Sequence, residues 1–182
     1  MLNRFNELWS EVTREGSLEL LGKMRTMGYF DAPASSSNHL AKRGGLLEHS
    51  INVTELMLKM ATATDAPYER ETLIIVGLLH DIGKASYYGK PAYKPNILKS
   101  GKVSEAKPYE KNKELPLVPH EVSAIHIISQ HMELSEDEVF AILYHNGLYT
   151  SLGYEIKNSG RETHLYLITH AADMIASRIL EK

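Results

Sequence analysis

The sequence predicts an all-α protein, and three observations lead to that prediction. Apolar residues recur at helical spacing, as at Phe5, Leu8 and Val12 near the amino terminus. Helix-start sequences precede such segments, most clearly the capping sequence at residues 135–138. Regular structure is interrupted mainly in residues 85–118, where proline, glycine, tyrosine and lysine are interspersed. We therefore expect a helical bundle with one long irregular insertion.

The segment before the insertion predicts four helices. Residues 3–27 hold two of them, separated by a break near Gly16. A loop over residues 29–43 leads to the glycine pair at 44–45, and the third helix runs from about Leu46 to Ala63. The fourth begins at residues 65–67 and ends near His80, after an apolar run.

Three more helices are expected after the insertion. Helical spacing resumes over about residues 119–131, a second helix runs from Ser135 through His145, and residues 162–180 form the last. Within the insertion, a short β-hairpin around Asn96 to Val103 is compatible with the sequence. A chain of 182 residues is long enough for one domain with a full core, so we expect a single domain.

Composition excludes several classes of function. The net charge of −3 gives no general attraction to nucleic acid or to an anionic membrane. Cysteine is absent, which excludes disulfides, thiolate metal sites and cysteine nucleophiles, so any metal ligands must be His, Asp or Glu. We find neither a signal-peptide pattern nor a membrane-length apolar stretch, and therefore expect a cytoplasmic protein with no membrane partner.

The pair His80–Asp81 is the most informative feature of the chain. It ends the apolar run at residues 73–79 and precedes Ile82, Gly83 and Lys84. An imidazole and a carboxylate at the end of a buried helix need compensation for their lost hydration, and a divalent cation would supply it. Neighbouring helical residues point about 100° apart, but the geometry relaxes at a helix end. We expect Gly83 to end the helix in the left-handed conformation, so that both side chains turn into one cavity.

Other segments supply further residues of the metal-ligand type. Each lies within or at the edge of an apolar segment: His49, His120, His145 and Asp173. In chain order with His80 and Asp81, the pattern is His, His-Asp, His, His, Asp. Imidazole and carboxylate ligands suit Mn, Fe, Ni, Co or Zn, whereas Mg favours oxygen-rich sites and would fit one site at most. Pattern and chemistry together predict a transition-metal centre.

This order of residues resembles the HD superfamily of metal-dependent phosphohydrolases. The resemblance spans roughly residues 39–178, and the sequences GGLLEHS at 44–50 and HDIGK at 80–84 are most similar to phage HD hydrolases and to the HD domain of certain 3′-5′ exoribonucleases. It implies an HD-domain helical bundle, with residues 1–43 as amino-terminal helices and loop and 44–182 as the metal-binding core. For a phage protein the expected location is the host cytoplasm.

The resemblance also implies a site for two divalent ions. In the family pattern His49, His80, Asp81 and Asp173 hold one ion, while His120 and His145 bind a second that Asp81 bridges. Such a pair of ions lowers the pKa of a water and neutralises phosphoryl oxygens during in-line attack. No protein nucleophile is then needed.

Several residues are candidates for catalysis and substrate binding. Asp81, Glu48 or Glu121 could orient or deprotonate the water, and the sequence does not rank them. Lys84 lies one turn beyond His80 and could bring its charge to a phosphate. Weaker candidates for contacts with substrate are Arg43, Tyr88, Lys94, Asn146 and Arg178, together with Tyr87, Lys90 and Tyr93. His170, one turn before Asp173, could contact a ligand.

These inferences predict a hydrolase of nucleotides or related small phosphoesters. The alternative is a phosphodiesterase or nuclease that cleaves cyclic nucleotides, dinucleotides or short oligonucleotides. Negative charge and the lack of room for a separate nucleic-acid-binding domain favour a small substrate, and short nucleic acid stays open as a partner. Two other classes are a noncatalytic nucleotide-binding HD module and a di-iron oxygenase. The sequence leaves the oligomeric state open.

Overall fold

The computed structural model describes residues 1–157 and 159–181, and within them the protein is mainly helical. Seven α-helices are described: α1 (Leu2–Trp9), α2 (Ser17–Thr26), α3 (Gly45–Ala63), α4 (Arg70–Leu79), α5 (His120–Ser129), α6 (Glu136–Tyr144) and α7 (His164–Ile175). Short 3₁₀ turns cover Ile82–Lys84, Gly147–Tyr149 and Leu152–Glu155, and a π turn covers Ala176–Leu180. The prediction of an all-α bundle with one insertion is confirmed.

Helix α3 lies at the centre of the bundle and packs against α4 and α7, while α6 packs against α5 and α7. The α3–α4 approach is close, because a Cβ on Gly77 would lie 2.5 Å from Thr54 Oγ1. The buried Tyr29 hydroxyl, from the loop before α3, donates a 2.6 Å hydrogen bond to the Leu78 carbonyl. These contacts fix the carboxyl end of α4, where His80 and Asp81 lie.

Some helix boundaries differ from the predicted ones for local reasons. The break between α1 and α2 does fall at Gly16, whose φ of 83° favours glycine. Helix α4 starts at Arg70 and not at residues 65–67, since Asp65 itself has a left-handed φ of 48°. Helix α7 starts at His164 because the Thr163 hydroxyl caps it by accepting from the Tyr166 amide at 3.2 Å.

The insertion folds into short antiparallel ribbons. Strand β1 (Ser86–Tyr87) pairs with β2 (Lys90–Pro91), and β3 (Tyr93–Pro95) pairs with β4 (Tyr109–Lys111). Between β3 and β4, Ile97 and Val103 form a bridge, which agrees with the hairpin expected around residues 96–103. Among the residues described, no helix has the length and apolarity needed to cross a bilayer.

Glu138 ties the start of α6 to the amino-terminal segment. Its fully buried carboxylate accepts from Arg14 at 2.7 and 2.8 Å and from the Ser135 amide at 2.8 Å, while the Ser135 hydroxyl accepts from the Glu138 amide. The expected capping box is thus present, and it is joined to an ion pair.

We expect Glu138→Ala to lower the free energy of unfolding by roughly 3–5 kcal/mol, because the half-buried Arg14 guanidinium loses its partner. Urea denaturation would measure the change. Glu136→Ala, in the exposed first turn of the same helix, is the matched control and should cost about 0.5 kcal/mol or less. Equal losses in the two variants would show that the buried pair contributes nothing specific.

Candidate metal centre

Asp81 lies at the centre of a cluster of imidazoles that come from different helices. Its carboxylate is fully buried. The Oδ2 atom lies 3.5 Å from both His49 Nε2 and His80 Nε2. The Oδ1 atom lies 3.1 Å from His120 Nε2 and 3.4 Å from His145 Nε2. The two oxygens of one carboxylate therefore face two separate pairs of imidazoles.

This arrangement forms two ligand groups that share Asp81. The ligand atoms of His49, His80 and Asp81 lie within 4.8 Å of one another, and so do those of Asp81, His120 and His145. Asp173 joins the first group, because its Oδ1 lies 3.1 Å from His49 Nε2. Five helices or helix ends thus bring together all six residues that the sequence indicated as ligands.

The orientation of two imidazoles is set by the ends of the helices that carry them. His80 directly follows α4 and donates from Nδ1 to the Gly77 carbonyl at 2.9 Å. His145 directly follows α6 and donates from Nδ1 to the Ile142 carbonyl at 2.8 Å. In both cases the proton on Nδ1 leaves the Nε2 lone pair directed at Asp81, which is the tautomer that ligates metals.

Several polar atoms of the cluster have no hydrogen-bond partner in the described structure. They include His49 Nε2, His80 Nε2 and Asp81 Oδ1, all buried. The lone pair on His80 Nε2 is repelled by the Asp81 carboxylate oxygen that it faces, and leaving such atoms buried is costly. A divalent cation between these atoms would turn the repulsion into coordination. The residues present therefore fit a metal site.

The ionisation states of the clustered residues also indicate a site for a cation. Burial lowers the pKa of His80 to about 3, so this imidazole is neutral. Burial opposes the ionisation of Asp81, but Lys84, at 2.6 Å from Oδ2, and the neighbouring imidazoles hold its pKa well below the usual range. Lys84 is itself largely shielded from solvent, which opposes its charge, but Asp81 raises its pKa above the ordinary value. An ionised Asp81 carboxylate beside the neutral His80 imidazole is a state that binds a cation.

Gly83 has a role different from the predicted one. Its φ is not positive, and it lies inside the 3₁₀ turn after Asp81 and does not end α4 in the left-handed conformation. The reason for glycine is space, because a Cβ here would lie 2.2 Å from the His120 carbonyl oxygen. The missing side chain lets the start of α5 approach the turn and brings His120 to Asp81.

The HD domain family model matches residues 46–176, which is more than half of the chain and includes all six clustered residues. The chain belongs to the HD domain family. The resemblance of the sequence to HD proteins is thus confirmed, while the narrower likeness to phage and exoribonuclease members stays a prediction.

A curated relative of this HD domain is dihydroneopterin 2′,3′-cyclic phosphate phosphodiesterase of Methanocaldococcus jannaschii. The two sequences are 44% identical over 62 residues, which cover 32% of this chain and 25% of the relative. The match therefore spans about a quarter of the relative's length. No solved structure matches the chain.

The HD centre includes a carboxylate that the sequence prediction missed. Glu181, from the segment after α7, lies 3.0 and 3.1 Å from His49 Nδ1 and also accepts from the Asn52 amide at 3.0 Å. His39 lies nearby, with its Nε2 3.9 Å from Glu181. A carboxylate on the far nitrogen of a metal-binding histidine orients the ring and raises its basicity. Helical spacing gives no signal for this contact, since it joins residues 132 positions apart.

Among the other predicted residues, Asn146 and Glu121 lie beside the second ligand group. The Asn146 amide donates to Glu121 Oε1 at 2.8 Å and lies 2.8 Å from His145 Nε2 and 3.2 Å from His120 Nε2. His170, one turn from Asp173, has its Nδ1 2.7 Å from the His145 carbonyl. These side chains fix the positions of the clustered imidazoles.

The structure does not bring five other predicted residues into the cluster. Glu48 pairs with Lys42 at 2.7 Å, Arg43 with Asp31 at 2.8 Å and Lys94 with Glu114 at 2.6 Å. Tyr88 is exposed and packs against Tyr87. Arg178 lies over the Tyr149 ring at the edge of a cavity that also contains Asp173. Roles for these residues in substrate contact or catalysis stay predictions.

Proposed function

We propose that this HD domain is a divalent-metal-dependent phosphohydrolase that cleaves a small phosphodiester, with cyclic phosphodiesters as its preferred substrate class. One observation carries the proposal: the two oxygens of Asp81 face two separate imidazole groups, with the Lys84 ammonium beside them. This arrangement suits a two-metal site next to a bound anion.

The family and the relative support the same chemistry. HD proteins are metal-dependent phosphohydrolases, and the name of the archaeal relative describes a phosphodiesterase for a 2′,3′-cyclic phosphate. We therefore place the diester reaction ahead of phosphate release from a linear nucleotide, which stays the second candidate.

The proposed ligands divide between two ions. His49, His80, Asp81 and Asp173 would hold one ion, and Asp81, His120 and His145 the other. Manganese, iron, nickel, cobalt and zinc suit this set of ligands. Divalent ions held there would make water more acidic for attack on phosphorus and would offset the charge of the phosphoryl oxygens.

The chain's own residues would then bind and orient the ester. Lys84 lies at the junction of the two ligand groups and is charged, so its ammonium can neutralise a phosphoryl oxygen. Glu121 is buried, and together with Asn146 it holds His120 and His145 in position. In the hydrolysis, the water oxygen bonds to phosphorus, one P–O ester bond breaks, and the released alkoxide takes up a proton.

The test is a substrate panel assayed with added Mn²⁺, Co²⁺, Ni²⁺ or Zn²⁺ and with product identification. It contains 2′,3′-cyclic and 3′,5′-cyclic nucleotides, a pterin 2′,3′-cyclic phosphate, nucleoside mono- and triphosphates, and a short RNA. We expect metal-dependent opening of 2′,3′-cyclic phosphates to monoesters. Release of inorganic phosphate alone would favour the second candidate, and binding without turnover would favour a noncatalytic module.

A further inference from the structure

Two cavities of different character lie on either side of Lys84. One, of about 440 Å³, lies between the insertion and the start of α5 and reaches His120. The other, of about 480 Å³, includes Asp173 and Arg178. Lys84 lines both. A substrate whose phosphate lies at Lys84 can therefore extend into either cavity, and their chemistry decides which part of the substrate each would accept.

The cavity beside His120 is mainly apolar and partly aromatic, and Lys84, Lys111 and Lys113 also line it. Its walls include Tyr87, Tyr93 and Ala92 from the ribbons and the segment 115–119, which reads Leu-Pro-Leu-Val-Pro. Leu117 is 95% exposed at its edge. The cavity beside Asp173, in contrast, is lined mainly by polar groups such as Asn38, Asn146 and Ser177. The first cavity suits a hydrophobic ring, and the second suits hydroxyl groups.

Hydrogen bonds hold the walls of the apolar cavity in place. The Asn112 amide donates to the Ala92 carbonyl at 2.9 Å, which joins the two ends of the ribbons. The Asn112 side chain donates to the Pro91 carbonyl at 2.9 Å and accepts from the Glu114 amide at 3.1 Å. Prolines at 116 and 119 further restrict the segment that closes the cavity. The cavity is therefore formed before a ligand arrives.

We propose that the apolar cavity binds the planar, fused nitrogen heterocycle of the substrate, and so selects phosphoesters that carry a purine-like or pterin-like ring. This inference rests on the proposed phosphohydrolase function. Its volume lies within the range of small-ligand sites, and a ring packed against Tyr93 gains stacking that an aliphatic group does not. With the ring there, the ester lies next to Lys84 and His120, where the reaction is proposed to occur.

The insertion supplies walls of the apolar cavity but none of the six clustered residues. The six clustered residues come from outside residues 85–118, so the metal centre does not need the insertion for its ligands. The insertion instead adds aromatic and apolar surface beside one ligand group. The insertion can therefore set which substrate binds without changing the metal ligands.

Tyr93→Leu tests the proposal because it keeps an apolar side chain and removes the aromatic face. The probes are guanosine and neopterin, which carry the ring without phosphate, and ribose 5-phosphate, which carries phosphate without the ring. Calorimetry in the presence of a chelator measures binding without turnover. We expect the full chain to bind both ring probes and Tyr93→Leu to weaken that binding about tenfold or more, whereas binding of ribose 5-phosphate changes less than twofold.

Two further variants distinguish a local effect on the cavity from misfolding of the protein. Leu117→Asp changes an exposed residue at the cavity edge and should also weaken ring binding. Leu98→Asp changes an exposed residue of the same insertion outside the cavity and should leave ring binding unchanged.

In turnover, KM for 2′,3′-cyclic GMP should rise about tenfold in Tyr93→Leu.

The outcomes separate the two proposals. Ring binding that depends on Tyr93 and Leu117, without hydrolysis of any ester, would support the cavity assignment and contradict the proposed function. Hydrolysis of cyclic phosphates with an unchanged KM in Tyr93→Leu would support the proposed function and contradict the cavity assignment. Absence of guanosine and neopterin binding to the unmodified chain would overturn the cavity assignment.

Discussion

Replacing Asp81 by Asn should lower kcat for the cyclic phosphodiester by roughly 10³-fold or more. The variant should also bind at most one divalent ion in place of two. Asp81 is the single residue that both ligand groups share, through Oδ2 on one side and Oδ1 on the other. An amide keeps the size of the side chain but offers one oxygen and no charge. Both groups therefore lose affinity at once.

The measurement combines steady-state kinetics with metal analysis of the purified protein. Asp173→Asn is a graded comparison, because Asp173 contacts the first group alone and its loss should spare the second ion. Asp65→Asn, an exposed aspartate at a left-handed position that Asn also accepts, is the matched control and should retain activity. Normal turnover in Asp81→Asn would refute the assignment of the centre.

The sequence predicts the fold and the location of the cluster because both depend on local patterns. Helical spacing fixes which faces are buried, and His80, Asp81 and His145 all lie at or just after the ends of apolar helices. The buried ends of helices in a bundle meet in the interior. Polar residues there need a compensating partner, so their convergence can be inferred before the structure is known.

Contacts that depend on distant parts of the chain were not predictable in the same way. Glu181 reaches His49 through the path of the chain after α7, and no helical period encodes that path. The role of Gly83 depends on where α5 begins, because the atom that leaves no room for a Cβ at Gly83 is the carbonyl oxygen of His120. His120 follows the insertion in the sequence. Surface cations such as Arg43 and Lys94 form ion pairs with nearby acidic side chains. The sequence alone does not distinguish a cation in such a pair from one that contacts substrate.

Removing divalent metal should lower the melting temperature by roughly 5–15 °C. Metal at 100 to 1,000 times its Kd stabilises the folded state by about 2.7–4.1 kcal/mol. For a chain of this size each kcal/mol corresponds to roughly 2–4 °C. The stabilisation has a structural source, since binding satisfies buried atoms such as His80 Nε2 that otherwise lack a partner. Calorimetric scans with Mn²⁺, Zn²⁺ or a chelator would measure it, and Ca²⁺ should give a smaller increase because it prefers oxygen ligands.

The metal-dependent gain in melting temperature should depend on pH, and the direction of this dependence follows from the pKa of His49. Burial opposes its protonation, but Asp173, Asp81 and Glu181 raise its pKa well above the usual value, so the metal-free protein keeps a proton there to higher pH than an ordinary imidazole does. A cation binds the neutral ring and must displace that proton, so metal affinity rises with pH until the pKa of His49 is passed. The metal-dependent gain in melting temperature should therefore be larger at pH 8 than at pH 6. Asp81→Asn, with its reduced metal binding, should show little gain at either pH, and a gain as large as in the unmodified protein would place the stabilising ion elsewhere.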